Sequence, residues 1–331
     1  GDFPHILIAP GTVQQCFEAG YRAFNLADRY QCPVIVLLDS YFGGSLVTLG
    51  RSCLSWNEVV RDRGEYLGGY SVEAPATEAE AAAADAETHA DTARERYLRY
   101  AFTESGVSPR AGFGHPGGVH APSTDEHEED AHITEESGVR VEMMRKRMRK
   151  MEAALAADLR GPTMYGDPKY GDANADVTLL VWGSTLPAAC EAVTMLAADG
   201  IRANVMHYTD LWPVSDLAAP LTLRATPKLP ETVTQLTPHA TTDGLAGTGG
   251  ISGPGGISGP GGTSCPGDAG VLVAVEQNYS GQMSLIHRMI TGRAPDFAVL
   301  KYDGRQMSPR EIADGVREGL RRGRKEGAPN A

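Results

Sequence analysis

The five cysteines of this chain include no closely spaced pair. Cys16, Cys32, Cys53, Cys190 and Cys265 are odd in number, widely scattered and never in a C-x-x-C pair. That argues against a disulfide framework or an iron–sulfur site within this chain, and makes a reducing cytoplasm the expected compartment. No apolar run approaches the roughly 20 residues that a membrane span needs, and no secretory signal is visible. The first residue is Gly, not Met, so the natural start is expected upstream. Cations are in deficit: 30 Lys and Arg stand against 42 Asp and Glu, for a net charge of −12. Nucleic acid and anionic membrane both demand clustered cations, so neither is an expected partner. Also missing are a G-x-G-x-x-G fingerprint or P-loop in a strand–helix context, a G-x-S-x-G elbow and any convincing nucleophile–base pair.

What is present suffices for one large or two ordinary domains, with 331 residues of which 41% are hydrophobic. The opening block reads as strand, helix, strand. Residues 6–9 form a short apolar run, and Thr12-x-x-Gln15 is a capping box. Phe17, Gly20, Tyr21, Phe24 and Ala27 fall on one helical face, taken as the inward one. Residues 34–38 form a continuous apolar run that suits a strand buried on both faces of a parallel sheet. Two such strands are not stable alone, so the block reads as the end of a larger α/β domain. Residues 76–93 are rich in Ala, Glu, Asp and Thr, a solvated helix or disordered insert, and 97–136 are a long irregular segment. A helix follows over roughly 138–159, with Val141, Met144, Met148, Met151 and Leu155 as its apolar stripe. The basic run at 145–150 is read as its solvated face rather than a nucleic-acid patch.

A second α/β unit begins near Asp176. Strands at 177–182, 201–207, 271–275 and 297–301 alternate with helices at about 185–198 and 280–291. Gly200 ends the first of these helices, and Leu186, Ala189, Val193, Leu196 and Ala197 line it. Ser308-Pro309-Arg310-Glu311 opens a last helix with Ile312, Val316 and Leu320 facing inward. The alternation implies an α/β fold with a mostly parallel sheet. Residues 219–269 interrupt it, with Ile-Ser-Gly-Pro-Gly-Gly nearly repeated, as a mobile surface loop.

Three polar features are candidates for chemistry. Asp125, Glu126, His127 and His132, with neighbouring acids and with His115 and His120, carry metal-ligand side chains, but their spacing matches no zinc signature. A polar loop that pairs its own charges is the preferred reading, and a loop lying near a site formed with another chain remains open. Gly183-Ser184-Thr185, between strand and helix, is either an anion-binding turn or, preferred, a simple capped turn. Glu276, Asn278 and Gln282 follow a strand directly, where open α/β sheets place ligands. They are equally read as the cap of the next helix, with the carboxylate favoured by the helix dipole.

Several runs together resemble the alpha subunit of 2-oxoacid:ferredoxin oxidoreductases, nearest to the 2-oxoglutarate type. They include Gly-Asp-Phe-Pro at 1–4, Ala-Pro-Gly at 9–11, Thr-Glu-x-Gly-Val-Ser-Pro-Arg at 103–110, Asp125-Glu126-His127 and Lys-Arg-Met-Arg-Lys at 146–150. Trp-Gly-Ser-Thr at 182–185, Glu-x-Asn-Tyr-Ser-Gly-Gln at 276–282 and Lys-Tyr-Asp-Gly-Arg-Gln at 301–306 continue the order. The resemblance implies a C-terminal part of that subunit. Residues 1–49 would be the remnant of a pyrimidine-binding α/β domain, 50–96 a linker or insert, 97–175 an interdomain segment and helix, and 176–325 a transketolase-C-terminal-like domain. It further implies an enzyme that forms acyl-CoA and carbon dioxide from a 2-oxoacid and coenzyme A while reducing ferredoxin, inactive as this chain alone. The beta subunit is the implied partner and would bring thiamine diphosphate, Mg2+ and a [4Fe-4S] cluster, none of them bound by this chain by itself. No catalytic residue is assigned here; Asp125, Glu126, His127, His132, Glu276, Asn278 and Gln282 are expected at an interface or near the site. A non-catalytic α/β scaffold and another thiamine-dependent transketolase-like subunit are the alternatives.

Overall fold

The structure, a computed structural model, describes residues 2–54, 56, 59–67, 97–113, 115, 118–122, 125–166, 175–214 and 270–326. The expected features at 76–93 and 219–269 lie outside the described residues. In chain order the elements are β1 (Ile6–Ile8), α1 (Val13–Tyr30), β2 (Val34–Val36), α2 (Ser40–Gly44), β3 (Tyr66–Leu67), β4 (Arg110–Ala111), β5 (Glu126–His127), β6 (Ile133–Thr134) and α3 (Ser137–Ala157). Then come β7 (Thr163–Gly166), β8 (Val177–Trp182), α4 (Thr185–Ala198), β9 (Ala203–Tyr208), β10 (Asp210–Trp212), β11 (Val271–Glu276), α5 (Gln282–Thr291), β12 (Phe297–Leu300) and α6 (Pro309–Glu326).

The chain divides into two compact units, the first built from Gly1–His5, Arg22–Val34 and Val60–Asp158, the second from Ile6–Tyr21, Ile35–Val59 and Leu159–Ala331. The second unit carries a five-stranded sheet in the order β12-β11-β8-β9-β7. Its four strands β12, β11, β8 and β9 are parallel, and β7 closes one edge antiparallel. The α/β architecture with a mostly parallel sheet is therefore as the sequence implies. Alternate side chains of each strand enter two different cores, which is why the strands read as unbroken apolar runs. Leu179, Val181, Val205, Val273 and Val275 pack with Leu186, Leu196, Ile312 and Val316 from α4 and α6. Leu180, Met206, Tyr208, Leu272 and Ala274 pack with Met283, Ile286 and Ile290 from α5. The sequence marks for helix ends hold here. Gly200 takes φ +76 just past α4. At α6, Ser308 N donates to Glu311 Oε2 at 2.7 Å and Glu311 N to Ser308 Oγ at 3.3 Å, the reciprocal box.

A three-stranded sheet, β10-β1-β2, places β2 at an edge. The expectation of a strand buried on both faces at 34–38 fails, because nothing among the described residues covers it and Ile35, Leu37 and Leu38 stand exposed. The capping box at Thr12 forms with one change: Gln15 N donates to Thr12 Oγ1 at 3.1 Å, but Gln15 Oε1 accepts from Gly11 N at 2.7 Å. The inward face of α1 is also not the expected one. Ala19, Arg22, Leu26 and Tyr30 are buried, whereas Gly20 and Phe24 are exposed.

In the first unit α3 is the long element. Its buried residues are Met143, Lys146, Met151 and Ala154, while Val141 and Met148 of the expected stripe are exposed. Polar partners set this rotation. Lys146 Nζ donates to the Tyr100 carbonyl at 2.6 Å, and Arg147 is drawn onto Glu126. The reading of 145–150 as a wholly solvated face is thereby corrected, since a lysine goes inside where a carbonyl waits for it.

Candidate functional site

The residues named from sequence fall into two groups, one in each unit. Asp125, Glu126, His127 and His132 sit on the hairpin β5–β6, whose register pairs Glu126 with Thr134 and His127 with Ile133. Glu126 is buried and accepts from Arg140 at 2.9 Å and from Arg147 at 3.0 Å, with a second, shorter contact to Arg147. Burial works to raise its pKa, but these guanidiniums and the His127 amide prevail and hold the carboxyl below its ordinary value. His127 stacks on Tyr100 with ring centroids 4.9 Å apart. His132 Nδ1 lies 2.9 Å from Asp130. Asp125 alone of the four is an exposed acid. Asp130 and His132 pair within the loop, whereas Glu126 takes its cations from α3. Among the described residues no group of three or more His, Cys, Asp or Glu could hold a metal ion.

Glu276, Asn278 and Gln282 come together at the start of α5. Glu276 is fully buried at the carboxyl end of β11. Its Oε2 accepts from Trp182 Nε1 at 3.2 Å, Asn278 Nδ2 at 2.9 Å and Met283 N at 2.9 Å. Its Oε1 accepts from Ser284 N at 2.9 Å and Ser284 Oγ at 2.6 Å. Asn278 Oδ1 accepts from Gly281 N at 2.7 Å and Gln282 N at 3.1 Å. Four amides at the helix start are thus satisfied by two side chains, the capping arrangement with a carboxylate on the positive end of the dipole. Gln282 is exposed.

A third constellation was not singled out in sequence as a group. The Ser184 hydroxyl donates to the Asp39 carboxylate and accepts from Gln277 Nε2 at 3.4 Å and Gln306 Nε2 at 3.3 Å. Gln277 Oε1 in turn accepts from Met307 N at 2.8 Å. These residues stand past the carboxyl ends of β8, β11 and β12, where parallel sheets present ligand sites. With its hydroxyl donating to a carboxylate and its oxygen facing two amides, Ser184 is a junction between segments distant in sequence. The turn that carries it also constrains its neighbours. A Cβ on Gly11 would come within 2.5 Å of His207 Nε2 and 2.9 Å of the Gly183 carbonyl. His207 is wholly buried, with the Gly183 backbone beside its ring. Burial pulls its pKa down to about 3, so it is a neutral ring in a packed interior. The signal in sequence was present but diffuse: Asp39, Ser184, Gln277 and Gln306 are single polar residues at strand ends, with no shared spacing.

Burial pushes the Cys16 and Cys32 thiols up to about 11 and that of Cys190 to about 12. No helix among the described residues is long and apolar enough to cross a membrane.

No family model matches the chain. Curated relatives do. The alpha subunit of 2-oxoacid:ferredoxin oxidoreductase 2 from Aeropyrum pernix is 28% identical over 323 residues, which are 98% of this chain and 39% of that protein. The alpha subunit of the Saccharolobus solfataricus enzyme is 25% identical over 98% of this chain and 40% of its own length. A 2-oxoglutarate synthase subunit KorA from Methanothermobacter marburgensis is 49% identical, but over 43 residues. Among solved structures, 2-oxoglutarate:ferredoxin oxidoreductase from Magnetococcus marinus, with 2-oxoglutarate, coenzyme A and succinyl-CoA bound, matches 97% of this chain and 43% of that one. Its TM-score of 0.64 at 21% identity makes that a likeness of fold. The chain spans about two-fifths of the length of the curated relatives it matches. Along 98% of its own length it is a homologue of the alpha subunits of 2-oxoacid:ferredoxin oxidoreductases.

Proposed function

We propose that the chain is the C-terminal part of such an alpha subunit, working in a complex that converts a 2-oxoacid and coenzyme A to acyl-CoA and carbon dioxide while reducing ferredoxin. The observation that carries this is the alignment along 98% of the chain with relatives of that name. The short match to KorA, at 49% identity over 43 residues, favours 2-oxoglutarate as the acid. In this reading residues 1–49 end a pyrimidine-binding domain, and 176–325 form the transketolase-C-terminal-like domain. Thiamine diphosphate, which supplies carbanion chemistry when bound, and the electron-accepting cluster belong to the beta subunit. No step is assigned to either group on this chain.

The residues of this chain then shape and stiffen the neighbourhood of the reaction. Glu276 and Asn278 fix the start of α5, and Glu126 fixes the hairpin that presents Asp125 and His127. Asp125 and Gln282, both exposed, and His127, stacked on Tyr100, are the candidates for contact with substrate or partner. The test is 2-oxoglutarate-dependent, CoA-dependent reduction of ferredoxin or a viologen dye by the complete alpha subunit co-purified with its beta subunit. Activity that requires both subunits, and is lost with this chain alone, is the expected result. A complete complex inert with every 2-oxoacid tried would overturn the proposal.

A further inference from the structure

Three cations of the first unit converge without a carboxylate among their hydrogen-bond or ion-pair partners in the described residues. Arg99 Nη2 donates to Gln31 Oε1 at 3.0 Å, and Lys150 Nζ donates to the Gln31 carbonyl at 3.2 Å. Lys146 Nζ donates to the Tyr100 carbonyl at 2.6 Å. The Arg99 guanidinium lies 5.1 Å from the centroid of the Tyr100 ring, and Lys146 Nζ lies 5.7 Å from that same centroid. Gln31 and Tyr100 therefore gather all three. Lys146 is 4% exposed, and one of its three ammonium donors has an acceptor. Gln31 itself holds φ +47, the left-handed region that a non-glycine residue occupies only when its surroundings enforce it.

We propose that Arg99, Lys146 and Lys150, grouped about Gln31 and Tyr100, form a binding site for a tetrahedral dianion of the phosphate class. Like charges held together in a half-buried setting raise the free energy of the empty protein, and a dianion among them reverses that sign. A tetrahedral anion offers three or more oxygens to three cationic centres, whereas a planar carboxylate offers two. A guanidinium with flanking ammonium groups is a chemistry suited to phosphate.

The other charged groups facing the site neutralise it only in part. Arg147 is engaged by Glu126. Glu129, which accepts from Phe102 N at 2.8 Å, is one carboxylate and acts on Lys146, so three cations face a single negative charge. Cys32 faces Lys150 with its thiol pushed up to about 11, hence uncharged. Burial first, then the neighbouring cations, pulls Lys146 down to about 7, and burial with Arg99 and Arg147 pulls Lys150 down to about 8. The empty site thus sheds protons near neutrality, and a bound anion would draw them back.

Sulfate is the probe, because it remains a dianion over the whole pH range of interest. The 331-residue chain is titrated calorimetrically with sulfate at constant ionic strength set by chloride. We expect saturable binding to one site, tighter by about tenfold at pH 6.5 than at pH 8.5, with proton uptake seen as a heat that varies with the buffer's ionisation enthalpy. Arg99→Gln and Lys150→Met should each weaken binding by about tenfold, while Lys150→Arg retains it. Melting curves establish that each variant folds; if Lys150→Met does not fold, Arg99→Gln decides. Displacement by coenzyme A well below the concentration at which inorganic phosphate acts would assign the dianion to that cofactor, an arm that rests on the proposed function. Equal displacement would assign free phosphate. No saturable heat, or binding unchanged in Arg99→Gln and Lys150→Met, would mean an adventitious ion only and would overturn the site without touching the enzymatic proposal.

Discussion

Replacing Glu276 by Ala should destabilise the second unit severely. The wild-type carboxylate accepts five hydrogen bonds, from Trp182 Nε1, Asn278 Nδ2, Met283 N, Ser284 N and Ser284 Oγ. Not all five are stranded by its removal. The Ser284 hydroxyl can rotate, and the Asn278 amide is only partly buried and reaches water. Three donors are left with no ready substitute: two backbone amides of the first turn of α5 and the half-buried Trp182 indole. Each costs about 1–1.5 kcal/mol when left unmet, and loss of a carboxylate at a helix start adds about 0.5 kcal/mol. The expected loss is therefore about 4 kcal/mol, a large part of the roughly 5–15 kcal/mol that holds an ordinary domain together. Glu276→Gln keeps one acceptor oxygen but turns an NH2 toward the other donors, so it should cost about half as much. Urea melts followed by far-UV circular dichroism give the numbers, with the midpoint falling and the slope unchanged. A loss below about 1 kcal/mol for Glu276→Ala would refute the capping role. Normal stability in Glu276→Gln, combined with loss of turnover in the complete complex, would instead place Glu276 in the chemistry.

Lys146→Met should stabilise the chain at pH 6 by about 1–3 kcal/mol, since it replaces a buried ammonium by an apolar chain of similar reach. A lysine lowered to about 7 in the fold binds fewer protons than in the unfolded chain between there and its ordinary value. Wild-type stability therefore rises as pH climbs from about 7 to 10, and the advantage of Met should close over that window in urea melts. A pH-independent difference would show that the ammonium is not desolvated as described. Gly106→Ala should cost about 3 kcal/mol in the same assay. Gly106 has φ +78, and a Cβ there would lie 2.3 Å from the Lys146 carbonyl in the middle of α3; a neutral substitution would mean that this approach is not that close. Asp125→Ala, exposed, should leave stability within about 0.5 kcal/mol, while Glu126→Ala, which abandons two guanidiniums, should lose about 2–3 kcal/mol. Equal melts for the two variants would contradict the division between them.

The second unit was the more legible part of the chain. Its strands carry apolar residues on both faces and its helices end in local marks, Gly200 and the Ser308–Glu311 pair, whose geometry is set within a few residues. The first unit resisted because its helices are oriented by polar contacts distant in sequence. Counting apolar residues put Met148 and Val141 inside α3, but the Tyr100 carbonyl and the Glu126 carboxylate draw Lys146 and Arg147 inward. Likewise Arg22 is buried on α1 because its guanidinium reaches the Asp158 carbonyl at 2.8 Å, 136 residues away, whereas Phe24 points outward. Among the candidate residues, the spacing around Glu276 disclosed a cap and a site as equal readings, and only the count of acceptors filled by the chain's own donors separates them. The junction at Ser184 joins four segments, so no local pattern could announce it.

That count bears on where chemistry can occur. A carboxylate can act as a base, or grip a ligand, only with lone pairs not already committed to the protein. Glu276 has five donors on two oxygens, and Glu126 has two guanidiniums and the His127 amide. These are the two most buried acids of the two groups, and both serve their own element. Of the candidate residues, Asp125 on the hairpin and Gln282 at the helix start are left facing outward. Under the proposed function, a chain arranged in this way would supply placement and charge to a reaction whose reactive group comes from elsewhere. That is the division of labour expected when a cofactor held by another subunit performs the bond-breaking step. The cations around Gln31 differ in that three of them share neutral oxygens as their hydrogen-bond partners among the described residues. Charge left uncompensated inside a fold is relieved either by loss of a proton or by something that binds, and the proposed dianion site takes the second course.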